Sequence, residues 1–216
     1  MCNLFILSLE LLSKYPVLRC CKNPPLKGRM LAAAEERAGI IGHMRIALHH
    51  LCVDELITLF EDPDDLSIYE GKGFDNPHRV LMDDSGPLRW RVPQVLADPT
   101  VNIWLVRWIV LPSTEGIIGS ISFHGPPDTA GMIEIGLGIH PKFQRQGYGR
   151  EALAAMWSWA IDQPKVETLR YTVSPTNVAS VKLVESFEFT RVGEQMDEID
   201  GPEDIYEMSA DDFRAR

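Results

Sequence analysis

The chain predicts an α/β fold: one mixed, mostly antiparallel central sheet, flanked by helices and splayed at a central strand. Three observations carry this. Two β-branched and aromatic stretches, 102–111 and 117–124, flank a turn at 112–116 and read as an antiparallel hairpin. Behind them, 132–139, 147–162, 168–174 and 177–186 alternate as strand, helix, strand, helix. Inside the strand 132–139 stand Gly136 and Gly138. Glycine weakens a strand and marks a bulge or a ligand's approach. A bulge there splays the strand from its neighbour and opens a slot.

The elements follow in order. Residues 51–60 have helix spacing with Asp54 and Glu55 early, and Pro63 stops them. Residues 61–100 are rich in Pro, Asp and Gly and read as loops with a short helix near 92–97. The helix after the glycine-bearing strand places Leu153, Met156, Trp157, Ala160 and Ile161 on one stripe, and Pro164 closes it. Trp157 and Trp159 read as packing residues. In the next helix Val181 and Val184 or Leu183 turn inward. Residues 189–192 and 205–208 are the last strands. The domain is expected over 44–212, with 1–43 as an N-terminal extension to which no element is assigned.

The net charge of -10 disfavours nucleic acid as a partner, because phosphate neutralisation needs a basic surface. It suits a cationic partner. From Glu188 to Asp212 there are ten Asp/Glu and one basic residue, Arg191. That run is either a solvated face or an attractive rim. The four cysteines, Cys2, Cys20, Cys21 and Cys52, form no C-x-x-C pair. Neither a metal site nor a disulfide framework is expected, and a cytoplasmic setting fits. No apolar run is long enough to span a membrane. The apolar start, Met1 to Leu12, lacks a basic lead and carries Glu10, so it does not read as a secretory signal.

Gln144-Arg145-Gln146-Gly147-Tyr148-Gly149 joins the glycine-bearing strand to the helix. A strand, a basic glycine loop and a helix N-terminus make a pyrophosphate site, with clustered N–H groups and a favourable dipole. These residues resemble the GCN5-related N-acetyltransferase (GNAT) superfamily, in its ribosomal-protein alanine acetyltransferase branch. The family signature Gln/Arg-x-x-Gly-x-Gly/Ala falls on Gln144, Gly147 and Gly149. The pattern ahead of it matches Glu134, Ile135, Gly136, Ile139 and Pro141. A later Asn-x-x-Ser matches Asn177 and Ser180. The likeness is firm over about 117–192 and weaker over 44–212.

The resemblance implies direct transfer of an acetyl group from acetyl-CoA to an amine, with no metal. The acceptor is a protein or peptide α-amine or a small amine, and a homodimer is compatible. Deprotonating a lysine at pH 7 costs about 4–5 kcal/mol, an α-amine only about 1–1.5. Glu134 is the first choice of base, directly or through a water, because the family places its strand beside the thioester. His140 and His124 are the other candidates. Ser180 is the candidate to assist the departing thiolate or to contact CoA. The pyrophosphate falls to the N–H groups of Gln144, Arg145, Gln146, Gly147, Tyr148, Gly149 and Arg150, with Arg145 or Arg150 adding charge. Ile139 and Asn177 serve the pantetheine arm.

Two departures from the family pattern stand out. Glu188 occupies a helix-end position where relatives carry glycine, so it needs another turn or accepts strain. Val184 stands where many relatives have the tyrosine that protonates the thiolate. That loss supports an alternative reading, a non-catalytic acyl-CoA-binding sensor or interaction domain. A remoter one takes Gly147-Tyr148-Gly149-Arg150-Glu151-Ala152 as the G-x-G-x-x-A of an NAD-linked oxidoreductase. That motif belongs straight after a first strand.

Overall fold

The structure, a computed structural model, describes residues 45–83, 86–114, 116–199 and 201–216. The expected extension at 1–43 lies outside the described residues.

One seven-stranded sheet runs in the order β1-β2-β3-β4-β5-β7-β6. The strands are β1 (Ala47–His50), β2 (Arg107–Leu111), β3 (Gly116–Phe123), β4 (Met132–Ile139), β5 (Thr168–Val173), β6 (Thr190–Asp197) and β7 (Gly201–Ser209). The helices are α1 (Val53–Glu61), α2 (Leu88–Ala97), α3 (Tyr148–Ile161), α4 (Val178–Glu185) and α5 (Ala210–Arg214). Neighbouring strands are antiparallel except β4 and β5, which run parallel. The mixed, mostly antiparallel α/β sheet is as the sequence predicts.

The splay is present as well, but not by the expected route. β4 and β5 pair only from Met132–Thr168 to Glu134–Arg170. Beyond Glu134 the two strands part. The β3–β4 register runs unbroken from Phe123–Ile135 to Gly119–Ile139, so β4 carries no bulge against β3. Divergence from β5, and not a bulge at Gly136 or Gly138, opens the slot. The close β3–β4 approach relies on another glycine: a Cβ at Gly119 would lie 2.3 Å from the Gly138 carbonyl oxygen.

Each face of the sheet has its own core. On one face α3 is buried nearly all round, including the whole predicted stripe. Trp157 at its centre stacks on Phe189 at 4.5 Å and meets Phe187 and Phe213 edge-on, which ties α3 to the ends of α4 and α5. On the other face Leu56 and Leu59 of α1 and Leu88, Val92 and Val95 of α2 pack on Trp108, Val110 and Ile117.

Five elements differ from the sequence expectation. β2 begins at Arg107 and not at residue 102, because Asp98 accepts from the Thr100 N–H at 2.9 Å and starts a 3₁₀ turn over Pro99–Trp104. The Arg107 guanidinium is buried under that turn and donates to the Leu105 and Ile103 carbonyls. The last two strands are longer than expected and form a hairpin, turned where Gly201 sits at φ +80°. β6 is an edge strand whose residues are mostly exposed, and its charges suit an unpaired edge. β1 and α5 were not anticipated. Cys52 stands at the head of α1 as its N-cap residue.

Glu188 closes α4 in the left-handed region at φ +57°, so the anticipated strain is real. A non-glycine residue there costs about 1–2 kcal/mol. Glu188→Gly and Glu188→Ala both remove the carboxylate that pairs with Arg216 at 2.7 Å, so their difference isolates the backbone. The glycine variant is expected to melt about 2–4 °C above the alanine variant. Equal melting temperatures in calorimetry would show the turn to be unstrained.

Candidate active site

β4 sets the site. Backbone groups alternate sides along a strand. The Glu134 carbonyl accepts from His124 N–H and the His140 N–H donates to the Ile118 carbonyl, both toward β3. Leu137 and Ile139 therefore turn their backbone groups toward the gap left by β5. An extended ligand can pair there as a strand would. Ile139 was expected in this role, but its carbonyl already accepts from Gln144 Nε2 at 2.8 Å. Leu137 is the neighbour that the sequence reading missed.

After Ile139, a 3₁₀ turn over Pro141–Phe143 leads into the loop, and Gly147 caps α3 at φ +90°. Arg145, at φ +61°, is left-handed too. Left-handed residues alternating with ordinary ones are the backbone of an anion-binding nest. Among the described residues, none of the six N–H groups from Arg145 to Arg150 has an acceptor. The loop is held from outside. Arg45 donates from Nη2 to the Gln146 carbonyl at 2.7 Å and lies over the Tyr148 ring at 4.4 Å. Its Nε bonds Glu151 at 2.7 Å, and its N–H bonds the same carboxylate at 2.9 Å. Glu151 is buried in the first turn of α3, so Arg45 also cancels a negative charge next to an anion site.

The side chains expected on phosphate divide. Arg150 is engaged, donating to the Ser186 carbonyl at 3.0 Å and hydroxyl at 2.6 Å, with its guanidinium over Phe187. It offers the loop its main-chain N–H. Gln146 donates to the Lys142 carbonyl at 3.0 Å, and Tyr148 is buried against Phe143. Arg145 is left as the charged candidate. Asn177 caps α4 through the Ser180 N–H at 3.2 Å, which leaves its amide nitrogen to donate. Ser180 of α4 lies beside the Tyr171 phenol; burial raises that phenol above its ordinary range and Ser180 lowers it. Tyr171 was not foreseen. Val184, in the tyrosine's place, is fully buried.

At the other end of the slot lies Glu134. Thr172 of β5 donates to its Oε1 at 2.5 Å, just past the last β4–β5 pair, and His124 Nδ1 stands 3.4 Å from the same oxygen. Arg91 of α2 is buried nearby with Nε 3.3 Å from Ser122 Oγ. Burial lowers the Arg91 guanidinium to about 10, against the pull of Glu134. These residues line a cavity of about 970 Å³ whose outer wall is Asp197, Glu198 and Glu203 from the β6–β7 hairpin. A Cβ on Gly138 would meet nothing within 4 Å, so β4 leaves this floor open. His140 stacks on His78 at 4.6 Å and accepts from Lys142 N–H, outside the Glu134 cluster. Among the described residues no group of His, Cys, Asp or Glu is arranged to hold a metal, and no helix is long and apolar enough to cross a membrane.

A sheet that parts beside a strand ending in an unpaired amide loop defines the acyl-CoA N-acyltransferase class of fold. Residues 45–190 match the acetyltransferase (GNAT) domain model, and the chain belongs to that family. It is similar to YjdG of Bacillus subtilis (strain 168), named an uncharacterized N-acetyltransferase, at 32% identity over 83 residues. The match covers 38% of this chain, and the chain spans about half, 49%, of that relative. The ribosomal-protein-S5-alanine acetyltransferase from Vibrio fischeri shares the fold at TM-score 0.56 and 14% identity, over 80% of this chain and 97% of that one. The aminoglycoside acetyltransferase AAC(6')-Ib, solved with coenzyme A, does so at TM-score 0.54 and 20% identity, over 79% and 98%. In this fold the Gly-x-Gly-x-x-Ala run opens α3 after the fourth strand, which is not the place a dinucleotide fold gives it.

Gly147→Glu is expected to weaken acetyl-CoA binding about 100-fold in calorimetric titration. It forces a side chain into a left-handed position 3.1 Å from Arg45 Nη2 and sets a carboxylate against phosphate. Unchanged affinity with an intact melting transition would move the pyrophosphate off this loop.

Proposed function

We propose that this protein is an N-acetyltransferase that moves the acetyl group of acetyl-CoA directly to a primary amine. The acceptor is a protein or peptide α-amine, or a small amine. The observation that carries this reading is the row of N–H groups from Arg145 to Arg150, without acceptors among the described residues, at the end of a strand whose other end bears Glu134. One end suits a diphosphate and the other an amine. The residues fit the co-substrate: unpaired donors for the anion, gap-facing backbone at Leu137 and Ile139, and Asn177 for an amide.

On this reading the amine enters from the Asp197, Glu198 and Glu203 side, where acidic groups attract a cation. It loses a proton at the His124 and Glu134 end of the slot, and its lone pair forms the N–C bond. The C–S bond breaks with its electron pair on sulfur. The nitrogen sheds its second proton and the thiolate gains one, so the thiol and the amide leave neutral. Ser180, backed by the Tyr171 phenol, is the group proposed to hydrogen-bond that thiolate. The 44–212 domain is the unit proposed to act, and a homodimer is compatible with it. A cytoplasmic setting goes with the use of acetyl-CoA.

The buried Val184 favours a second reading, an acyl-CoA-binding domain without turnover. Mass spectrometry of a mixed library of α-amino peptides, polyamines and aminoglycosides incubated with acetyl-CoA separates the two. The expected result is an acetylated product in one acceptor class. Binding of acetyl-CoA with no product from any class would select the second reading.

Gly138→Leu tests the open floor. The position has room for a Cβ, so the melting temperature is expected to stay within about 3 °C of the parent. Acetylation is expected to fall about tenfold or more, because the leucine fills the path to the thioester.

A further inference from the structure

We propose that His124 is the group that takes the amine's proton, and that Glu134 is its positioning carboxylate. The inference rests on the N-acetyltransferase reading and assigns the base within it.

Geometry carries it. His124 and Glu134 are cross-strand neighbours, joined by the His124 N–H to the Glu134 carbonyl at 2.8 Å, so their side chains share a face. The ring lies along β4. Its Nδ1 is 3.4 Å from Glu134 Oε1, and its Nε2 lies above Gly136, where a Cβ would come within 3.5 Å of it. Beyond it the strand is bare at Gly138. Carboxylate, ring and open floor thus form one line along β4. With the carboxylate 3.4 Å from Nδ1, charge favours the hydrogen on that nitrogen and leaves the Nε2 lone pair toward the cavity. Each member is held from another element: Glu134 by Thr172 of β5, and the His124 carbonyl by Gln94 Nε2 of α2 at 3.0 Å.

Exposure separates the two candidates. The Glu134 side chain is 16% exposed and its Oε1 already accepts from Thr172, whereas the His124 side chain is 47% exposed. The incoming amine reaches the ring first. The charges around it come from three elements. Partial burial lowers the imidazole below its usual range, Glu134 of β4 raises it, Arg91 of α2 lowers it and Asp197 of β6 raises it. The net direction is down, so the ring is neutral at pH 7 and able to accept. When the amine gives its proton to Nε2, the imidazolium shares its Nδ1–H with Glu134. That proton leaves to water after the amide forms.

The test compares the parent protein with His124→Gln, Glu134→Gln and the double variant, using the amine turned over fastest in the library. Acetyl-CoA affinity, read by calorimetry, is expected to stay within about twofold in all of them. His124→Gln is expected to lower kcat about 100-fold and to remove the acid limb of kcat/KM that belongs to the enzyme. Glu134→Gln is expected to lower kcat about tenfold and to shift that limb to lower pH, since it removes the charge that raises the ring. The double variant is expected to be no worse than His124→Gln. NMR titration of the His124 ring, in the absence of any acceptor, is expected to move to lower pH in Glu134→Gln. The proposal is overturned if His124→Gln keeps the parent's rate and profile, or if Glu134→Gln leaves the ring's titration unmoved. If the parent binds acetyl-CoA but acetylates no amine, the enzyme reading falls and takes this one with it.

Discussion

The parting of β4 from β5 just after Glu134 is the constraint on which the rest of the site depends. A parallel pair that continued would satisfy the backbone of Leu137 and Ile139 within the sheet and leave no slot. Because β5 turns away, one edge of a central strand is left without a strand beside it. The cost of that unpaired edge is accepted in the middle of a seven-stranded sheet, where most edges are closed by neighbours. Thr172 reaches across the mouth of the gap to Glu134 and so fixes where the parting begins. A core on each face holds the sheet, with Trp157 of α3 packed among Phe187, Phe189 and Phe213.

The same strand carries the chain into the amide loop, and here electrostatics adds a second condition. A helix N-terminus favours an anion, but Glu151 places a carboxylate in the first turn of α3. Left alone, that charge would compete with a phosphate for the same N–H groups. Arg45 bonds the carboxylate and holds the Gln146 carbonyl, so the acid is turned into part of the loop's scaffold. The six N–H groups stay available because the charges around them are already matched.

Much of this was legible in the sequence, for identifiable reasons. The α3 stripe and the strand 132–139 declare themselves by period, and Gly147 by the loop it must turn. The left-handed strain at Glu188 follows from the absence of glycine at a helix end. Other features depend on partners distant in the chain. Arg45 meets Glu151 across the molecule, and Tyr171 finds Ser180 from a neighbouring strand, so no local pattern announces either. Arg107 was hidden because a buried guanidinium looks like any surface arginine in sequence. The bulge expected at Gly136 is absent because both glycines of β4 keep an unbroken register with β3, and the slot arises instead from the turning away of β5, which no residue of β4 announces.

The cavity's charges run in a gradient that suits the proposed chemistry. At the outer wall Asp197, Glu198 and Glu203 favour a cation. Deeper in, burial penalises a cation and the buried Arg91 adds to that, and the two lower the His124 imidazole in the same order. An ammonium group drawn in by the rim therefore meets conditions that penalise its charge as it approaches β4. Losing a proton relieves that penalty, and the imidazole, neutral beside Glu134, is placed to take it. On the proposed reading, attraction at the mouth binds the amine, and desolvation at the floor, offset in part by Glu134, favours its neutral, nucleophilic form. An acidic chain that selected for cations alone would bind the amine in its unreactive form; burial, with Arg91 beside it, is what makes the interior differ from the rim.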